Sequence, residues 1–497
     1  MRAKQIVLAI AGFITILACG AVMFADFLPT YGGSYADQRF LQSVFVGFIS
    51  IAAIFFVIFK GLPLKIAAFH LLTVILFISS FLILSIGYYE QPYGFVEPGL
   101  YSFYFAAIVS AGLALMIVGG VYRFIEIFLS VAAVSCFFYG AMSVNVYLFA
   151  LVDGQAELSD LIPWGFVNIR YWSHVATWLL PILPLAVLIG PLRHYRLWRS
   201  LVAIGAGLWW WIILLSASRG TMVGIASGVL FVTLCFGCHS WPWLRQFTIY
   251  LLAGVAVWLV LSVFVPSLLF GETDLRSVHA TSSGRLPLFI EAWQMSLQHF
   301  PFGMGPQSWL THEVLTQEYS ESNKLGHPHN MYLMWAAEYG WLLVLLLFVI
   351  AVQFAFYYWK RRTVLLLEAK TSEVILLCGF TVSVLGALVH AGVSAVFIAP
   401  GSMLVGMLVL VAFWALIAPR ELLFGQGVRN NEKASAKLVF SVFSTAAVLA
   451  LWLLWIGQVY AYYLDMRLDE AFYQEQLKQP TMPRFWFHGN FPRNESP

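Results

Sequence analysis

The sequence predicts an all-α polytopic membrane protein of about 12–13 transmembrane helices with one large outer loop. Three observations carry this. Of 497 residues, 61% are hydrophobic and only 10% are charged, whereas a soluble domain carries about 25% charged residues. The apolar runs are continuous and roughly twenty residues long, enough to cross about 30 Å of hydrocarbon as helix. They lack the alternation that marks a membrane barrel. Finally, Lys and Arg gather in every second connection, the bias that orients polytopic chains.

In chain order, spans are expected at 6–25, 41–59, 64–87, 99–119, 124–151, 173–190, 198–216, 221–238 and 247–270. A loop with its own helical pattern follows at 271–329, then spans at 330–356, 373–395, 399–418 and 437–458, and a tail at 459–497. The chain thus divides into helices over 1–270, the loop 271–329, helices over 330–458 and the tail 459–497. The first apolar run, after Met1-Arg2-Ala3-Lys4, is too long for a signal-peptide core and right for a span. With the N-terminus in the cytoplasm, the inner segments hold Lys60, Arg123, Arg193, Arg196, Arg199, Arg245, Lys360, Arg361, Arg362 and Lys370. The short outer connections hold few bases, among them Arg39, Arg170 and Arg219. The loop and the tail then lie outside. Residues 460–477 have the pattern of an interfacial helix, and the Pro- and aromatic-rich end, 480–497, is expected to be irregular.

Composition also excludes functions. A net charge of +3 is too small to argue for nucleic acid. No phosphate-cradling G-x-x-x-x-G-K-[ST] loop is present, so nothing points to a nucleotide-driven pump. No H-E-x-x-H or acidic cluster has metal-ligand spacing, so no metal or cofactor is expected. The five Cys lie in or beside apolar runs, with no external disulfide framework, and Cys235 and Cys238 read as apolar side chains at a span end.

Four outer-facing places concentrate polar groups. They are the Phe166–Trp172 stretch with Arg170, and Ser216–Gly220 with Arg219. The third is Gly284-Arg285, followed by Trp293 and the turn-rich Phe300–Pro306. The last is His327-Pro328-His329-Asn330, followed by Glu338 and Gly340. Polar groups at membrane depth are costly and tend to be kept for function. Each also has a structural reading. Arg170 and Arg219 can anchor their spans at the interface, Arg285 can open a helix, His327 can pack in the loop, and Asn330 can cap the next helix. Glu338, expected about two turns inside the span 330–356, calls for a partner such as an arginine. His390 reads as a hydrogen-bonded core residue.

Together they suit a phosphate-bearing substrate and a proton transfer. Arginine meets phosphate oxygens with a planar, permanently charged fork. Histidine titrates near neutrality and can take a proton from an attacking hydroxyl.

Ser218-Arg219-Gly220, Gly284-Arg285 with Trp293 and the Gly303/Gly305 turn, and His329-Asn330 followed by Gly340 resemble the O-antigen ligase and polymerase superfamily. The resemblance spans roughly residues 160–420. It implies a bacterial inner-membrane, GT-C-like protein with one large periplasmic loop. It also implies metal-independent, inverting transfer of a glycan from undecaprenyl diphosphate to an acceptor hydroxyl. The acceptor is a lipid A-core glycolipid in the ligases, another lipid-linked glycan in the polymerases, and Ser or Thr of a protein such as pilin in the O-oligosaccharyltransferases. Carried over, Arg219 and Arg285 bind the diphosphate and His329 is the general base. Arg170, His327, Asn330 and Glu338 support them. Leu343 stands where the ligases usually have Gly, Thr or Tyr, so all three acceptor classes stay open behind a ligase-like expectation. The expectation from another class is a transporter or flippase for the same carrier. It needs polar groups deep in several spans, and few besides Glu338 and His390 qualify.

Overall fold

A computed structural model describes residues 2–27, 33–60, 68–88, 91–154, 158, 161–271, 284–418, 434–472 and 482–489. The structure is 80% helical, with no strand among the described residues. Its helices are α1 (Arg2–Met23), α2 (Ser34–Lys60), α3 (Ala68–Ile83), α4 (Val96–Ile117), α5 (Val121–Val152), α6 (Ile169–Leu179), α7 (Leu183–Leu188), α8 (Arg196–Leu215), α9 (Arg219–Phe236) and α10 (Trp241–Trp258). They continue as α11 (Val265–Phe270), α12 (Arg285–Gln298), α13 (Ser308–Thr311), α14 (Gln317–Ser320), α15 (Met331–Tyr339), α16 (Trp341–Leu367), α17 (Thr371–Ala391), α18 (Pro400–Ile417) and α19 (Ala434–Phe472).

Among the described residues, 11 helical segments are long and apolar enough to cross a membrane. The chain is an all-α, multi-pass membrane protein. The difference from 12–13 has two sources. The apolar helix Leu72–Tyr88 is shorter than the rest, and Arg219–Phe270 counts as one 52-residue segment although it turns at Gly237 (φ 53°). Two expected elements differ in kind. The span expected at 330–356 is broken at Gly340, so α15 is a separate short helix and the span proper begins at Trp341. Of the interfacial helix expected at 460–477, residues 460–472 continue α19 without a break from the candidate span Leu438–Glu470. Residues 272–283 of the loop and 473–481 and 490–497 of the tail lie outside the described residues.

The contacts define two compact units. The first comprises Met1–Gln38, Gly120–Ala280 and Arg362–Leu416. Small residues at Gly224, Gly228 and Gly386 bring α9 and α17 together, as is common between membrane helices. Indole N–H groups need partners where water is absent. Trp209 donates to the Cys136 carbonyl (2.9 Å), Trp211 to Ser262 Oγ (2.9 Å), Trp243 to the Pro181 carbonyl (2.9 Å) and Trp178 to Ser402 Oγ (3.1 Å).

The second unit comprises Arg39–Gly119, Thr281–Arg361 and Ile417–Pro497. Its loop region has its own apolar core of Leu288, Ala292, Met295, Trp309, Tyr319 and Ala337, which packs α12 against α15. Glu291, fully buried on α12, ties down the following segment. It accepts from His312 Nε2 (2.8 Å), the Leu315 amide (2.8 Å) and the Thr316 hydroxyl (2.5 Å). Burial pushes its carboxyl up, but these donors outweigh burial and hold it below the usual carboxylate range.

Candidate functional site

All four places singled out in the sequence are helix starts. In the first unit, Asn168 caps α6, its Oδ1 accepting from the amides of Arg170 (2.8 Å) and Tyr171 (3.3 Å). Arg170 therefore stands in the first turn of α6 with its side chain exposed. Arg219 is the first residue of α9, also exposed, after a tight turn in which Ala217 takes φ 46° and the Arg219 amide donates to the Ala217 carbonyl (2.8 Å).

The two starts lie side by side. The Thr221 hydroxyl, in the first turn of α9, donates to the Ser173 carbonyl in the first turn of α6 (2.9 Å). Below them runs a buried polar cluster. Thr177 Oγ1 bonds Thr221 Oγ1 and His390 Nδ1, each at 2.9 Å, and His174 Nε2 lies 2.7 Å from Ser394 Oγ. His390 is thus a hydrogen-bonded core residue. It also explains the glycine of Ser-Arg-Gly, since a Cβ on Gly220 would lie 2.4 Å from His390 Nε2.

In the second unit, Arg285 is the first residue of α12, half-buried, after Gly284 at φ 69°. His329 and Asn330 immediately precede α15. Asn330 is its cap, with Oδ1 accepting from the Tyr332 and Leu333 amides, both at 3.0 Å. The C-terminal ends of α12 and α15 meet. Trp341 Nε1, just past the end of α15, donates to Ser296 Oγ in the last turn of α12 (3.2 Å). Arg285 opens α12 and His329 immediately precedes α15, so each stands at the N-terminal start of one of these two packed helices.

His329 is buried and takes φ 57°, which is uncommon for a residue with a side chain and concentrates at functional sites. Its amide donates to His327 Nδ1 (3.1 Å), and the two rings meet edge to face at 4.3 Å. His327 thus shapes the turn that presents His329. Since His327 Nδ1 accepts, the proton of the neutral ring is on Nε2.

Glu338 is placed differently from the sequence expectation. It lies outside the span, at the end of α15, because Gly340 (φ 86°) stops the helix. The glycine is required there, since a Cβ would lie 2.1 Å from the Pro301 carbonyl. The Phe300–Pro306 turn is laid over this helix end, with the Met304 and Gly305 amides donating to the Ala337 and Glu338 carbonyls (2.8 and 2.9 Å). The Glu338 side chain is fully buried. It accepts from the Trp309 amide (3.3 Å) and from Arg484 Nη2 (2.5 Å).

Arg484 is the residue that sequence reasoning missed. It is fully buried, binds Glu97 through Nε (3.0 Å) and Nη2 (2.8 Å), and donates from Nη1 to the Gly326 carbonyl (3.3 Å). Arg39 anchors the same tail segment through the carbonyls of Phe485 (2.9 Å) and Arg484 (3.3 Å). Burial disfavours the Arg484 charge, but Glu338 and Glu97 outweigh it and hold the guanidinium well above its ordinary value. One arginine between two carboxylates leaves a negative charge in excess. Burial accordingly pushes the Glu338 carboxyl up to about 7. The signal available in sequence was a lone Arg among the aromatics of Pro483–Phe487, together with an acid at 338 that needed a partner.

Comparison with curated proteins and with solved structures gave no match. Residues 201–348 match the O-antigen ligase family, and this segment contains Arg219, Arg285, His327, His329, Asn330, Glu338 and Gly340. Residues 201–348 thus form an O-antigen ligase domain, and this match supports the O-antigen ligase superfamily.

Proposed function

We propose that the protein is a ligase-like glycosyltransferase. It moves a glycan from an undecaprenyl-diphosphate carrier to an acceptor hydroxyl at the periplasmic face of the bacterial inner membrane. The observation that carries the reading is the O-antigen ligase match over 201–348, with two arginines and a conformationally strained histidine at three helix starts within it.

In this reading Arg219 and Arg285 bind the diphosphate. Each adds its guanidinium fork to the favourable potential that helix N-termini offer an anion. His329 takes the proton as the acceptor oxygen attacks the anomeric carbon. The bond from that carbon to the diphosphate breaks, the electron pair leaves with the carrier, and the arginines stabilise the departing charge. Attack from the face opposite the leaving group inverts the anomeric centre. The charge stabilisation comes from arginine, so the reading uses no metal. Arg170 supports the Arg219 helix start, while His327, Asn330 and Glu338 hold His329 in place.

The test is purified protein in proteoliposomes with a polyprenyl-diphosphate glycan and three acceptors offered separately. These are a lipid A-core glycolipid, a second lipid-linked glycan and a pilin peptide. Mass spectrometry of a covalent product identifies the acceptor class. Carrier movement across the bilayer with no covalent product from any acceptor contradicts the reading in favour of a transporter.

A further inference from the structure

The helix α12 is apolar on two sides. One stripe, Leu288, Ala292 and Met295, fills the loop core. The other, Leu286, Trp293 and Leu297, is exposed, and it continues beyond the helix into Phe300 and Phe302, which are 65% and 56% exposed. Positions 286, 293 and 297 follow helical spacing, so these side chains share one face of the helix, and the exposed Phe300 and Phe302 follow just past its end. Exposed faces of large aromatic and aliphatic residues mark interaction or membrane surfaces.

Three contacts fix the level at which this face lies. The Trp293 and Trp341 rings meet edge to face at 5.5 Å. Trp341 Nε1 bonds Ser296, and the Leu342 amide donates to the Pro301 carbonyl (3.4 Å). Trp341 is the first residue of the candidate membrane span Trp341–Leu367, whose exposed Leu345, Phe348, Val352 and Phe356 form an apolar surface. The face of α12 is therefore joined directly to the mouth of a span, where Trp is favoured at the boundary between hydrocarbon and water.

We infer that α12 and the Phe300–Phe302 turn form an interfacial element, with the Leu286–Phe302 face seated in the bilayer surface and a lipid surface as its occupant. The consequence for Arg285 rests on the proposed function. The interfacial helix holds this residue at headgroup depth, where the diphosphate of a lipid-linked donor lies.

The experiment uses the full chain in phospholipid nanodiscs with Cys235→Ser and Cys238→Ser. Nitroxide labels go on Leu286→Cys, Leu297→Cys and Phe302→Cys, with Leu345→Cys as lipid reference and Glu318→Cys as water reference. Power-saturation spectroscopy then compares collision with oxygen against collision with a water-soluble nickel chelate. The expected oxygen-to-nickel ratio at the three sites matches Leu345→Cys and exceeds Glu318→Cys several-fold. A ratio equal to that of Glu318→Cys overturns the inference, and so does low access to both reagents, which means protein covers the face. As a check without cysteine variants, a diazirine phospholipid should label the 286–302 peptide of the unaltered chain, and absence of label there overturns the inference. Neither readout involves glycan transfer, so it stands or falls separately from the enzymatic reading.

Discussion

Arg484 reaches from the C-terminal tail to Glu338 at 2.5 Å while bonding the Gly326 carbonyl at 3.3 Å. One guanidinium thereby fixes both ends of the segment that presents His329. Removing one partner of a buried ion pair strands the other's charge, at a cost of about 3–5 kcal/mol. Arg484→Ala is expected to destabilise the protein by about that much, and Arg484→Lys to restore only part of it, because lysine lacks the fork that spans two carboxylates. Thermal unfolding of the detergent-solubilised protein measures this. An unchanged midpoint in Arg484→Ala would show that the network does not hold the fold.

Among the described residues, the buried carboxylates Glu338 and Glu291, both outside the spans, respond to pH in opposite directions. Glu338 titrates at about 7 in the folded protein against an ordinary 4.5. Between those values the folded state holds a proton the unfolded state has lost, so stability falls as pH rises through this window. Glu291 is held below 4.5, so its contribution is present above that value and is lost as pH falls below it. Unfolding midpoints across pH should lose the first dependence in Glu338→Gln and the second in Glu291→Gln. Profiles superimposable on the parent would contradict both assignments.

Gly340 combines φ 86° with a carbonyl 2.1 Å from where a Cβ would stand. The left-handed backbone alone makes Gly340→Ala costly by roughly 1–3 kcal/mol, and the clash adds to that. The variant should also move the Phe300–Pro306 turn off α15, which limited proteolysis of the loop would detect as new cleavage. Parent-like stability and proteolysis would mean this turn is not seated as described.

Gly220→Ala is expected to drive His390 away and to lower glycan transfer by displacing the start of α9, where Arg219 sits. Removing the obstacle should help, so the double variant Gly220→Ala/His390→Ala should transfer better than Gly220→Ala alone. A double variant worse than either single one would show that His390 acts for some reason other than space.

Much of this was legible in the chain. The long apolar runs and alternating charge announced a polytopic helical protein. Arg170, Arg219, Arg285 and His329 drew notice through the cost of placing polar groups near membrane, and all four stand at helix starts. What the sequence hid was long-range pairing. Periodicity carries 330–356 as one helix, and only the Pro301 carbonyl pressed against Gly340 explains the break. Glu338 demanded an arginine, but its partner lies 146 residues away in the chain. The apolar run of α19 likewise continues through Tyr460–Leu464, so the boundary expected at 458 had no physical stop.

The central claim is that His329 is the base while Arg219 and Arg285 bind the diphosphate. Its most direct test measures covalent glycan transfer from a polyprenyl-diphosphate donor in proteoliposomes, with His329→Ala, Arg219→Ala and Arg285→Ala matched for protein level and folding. Loss of a general base typically costs about 10²–10⁴-fold in rate, so His329→Ala should fall by that order. The two arginine variants should lose transfer through weaker donor binding and slower departure of the diphosphate. Parent-like transfer in all three well-folded variants would contradict the claim.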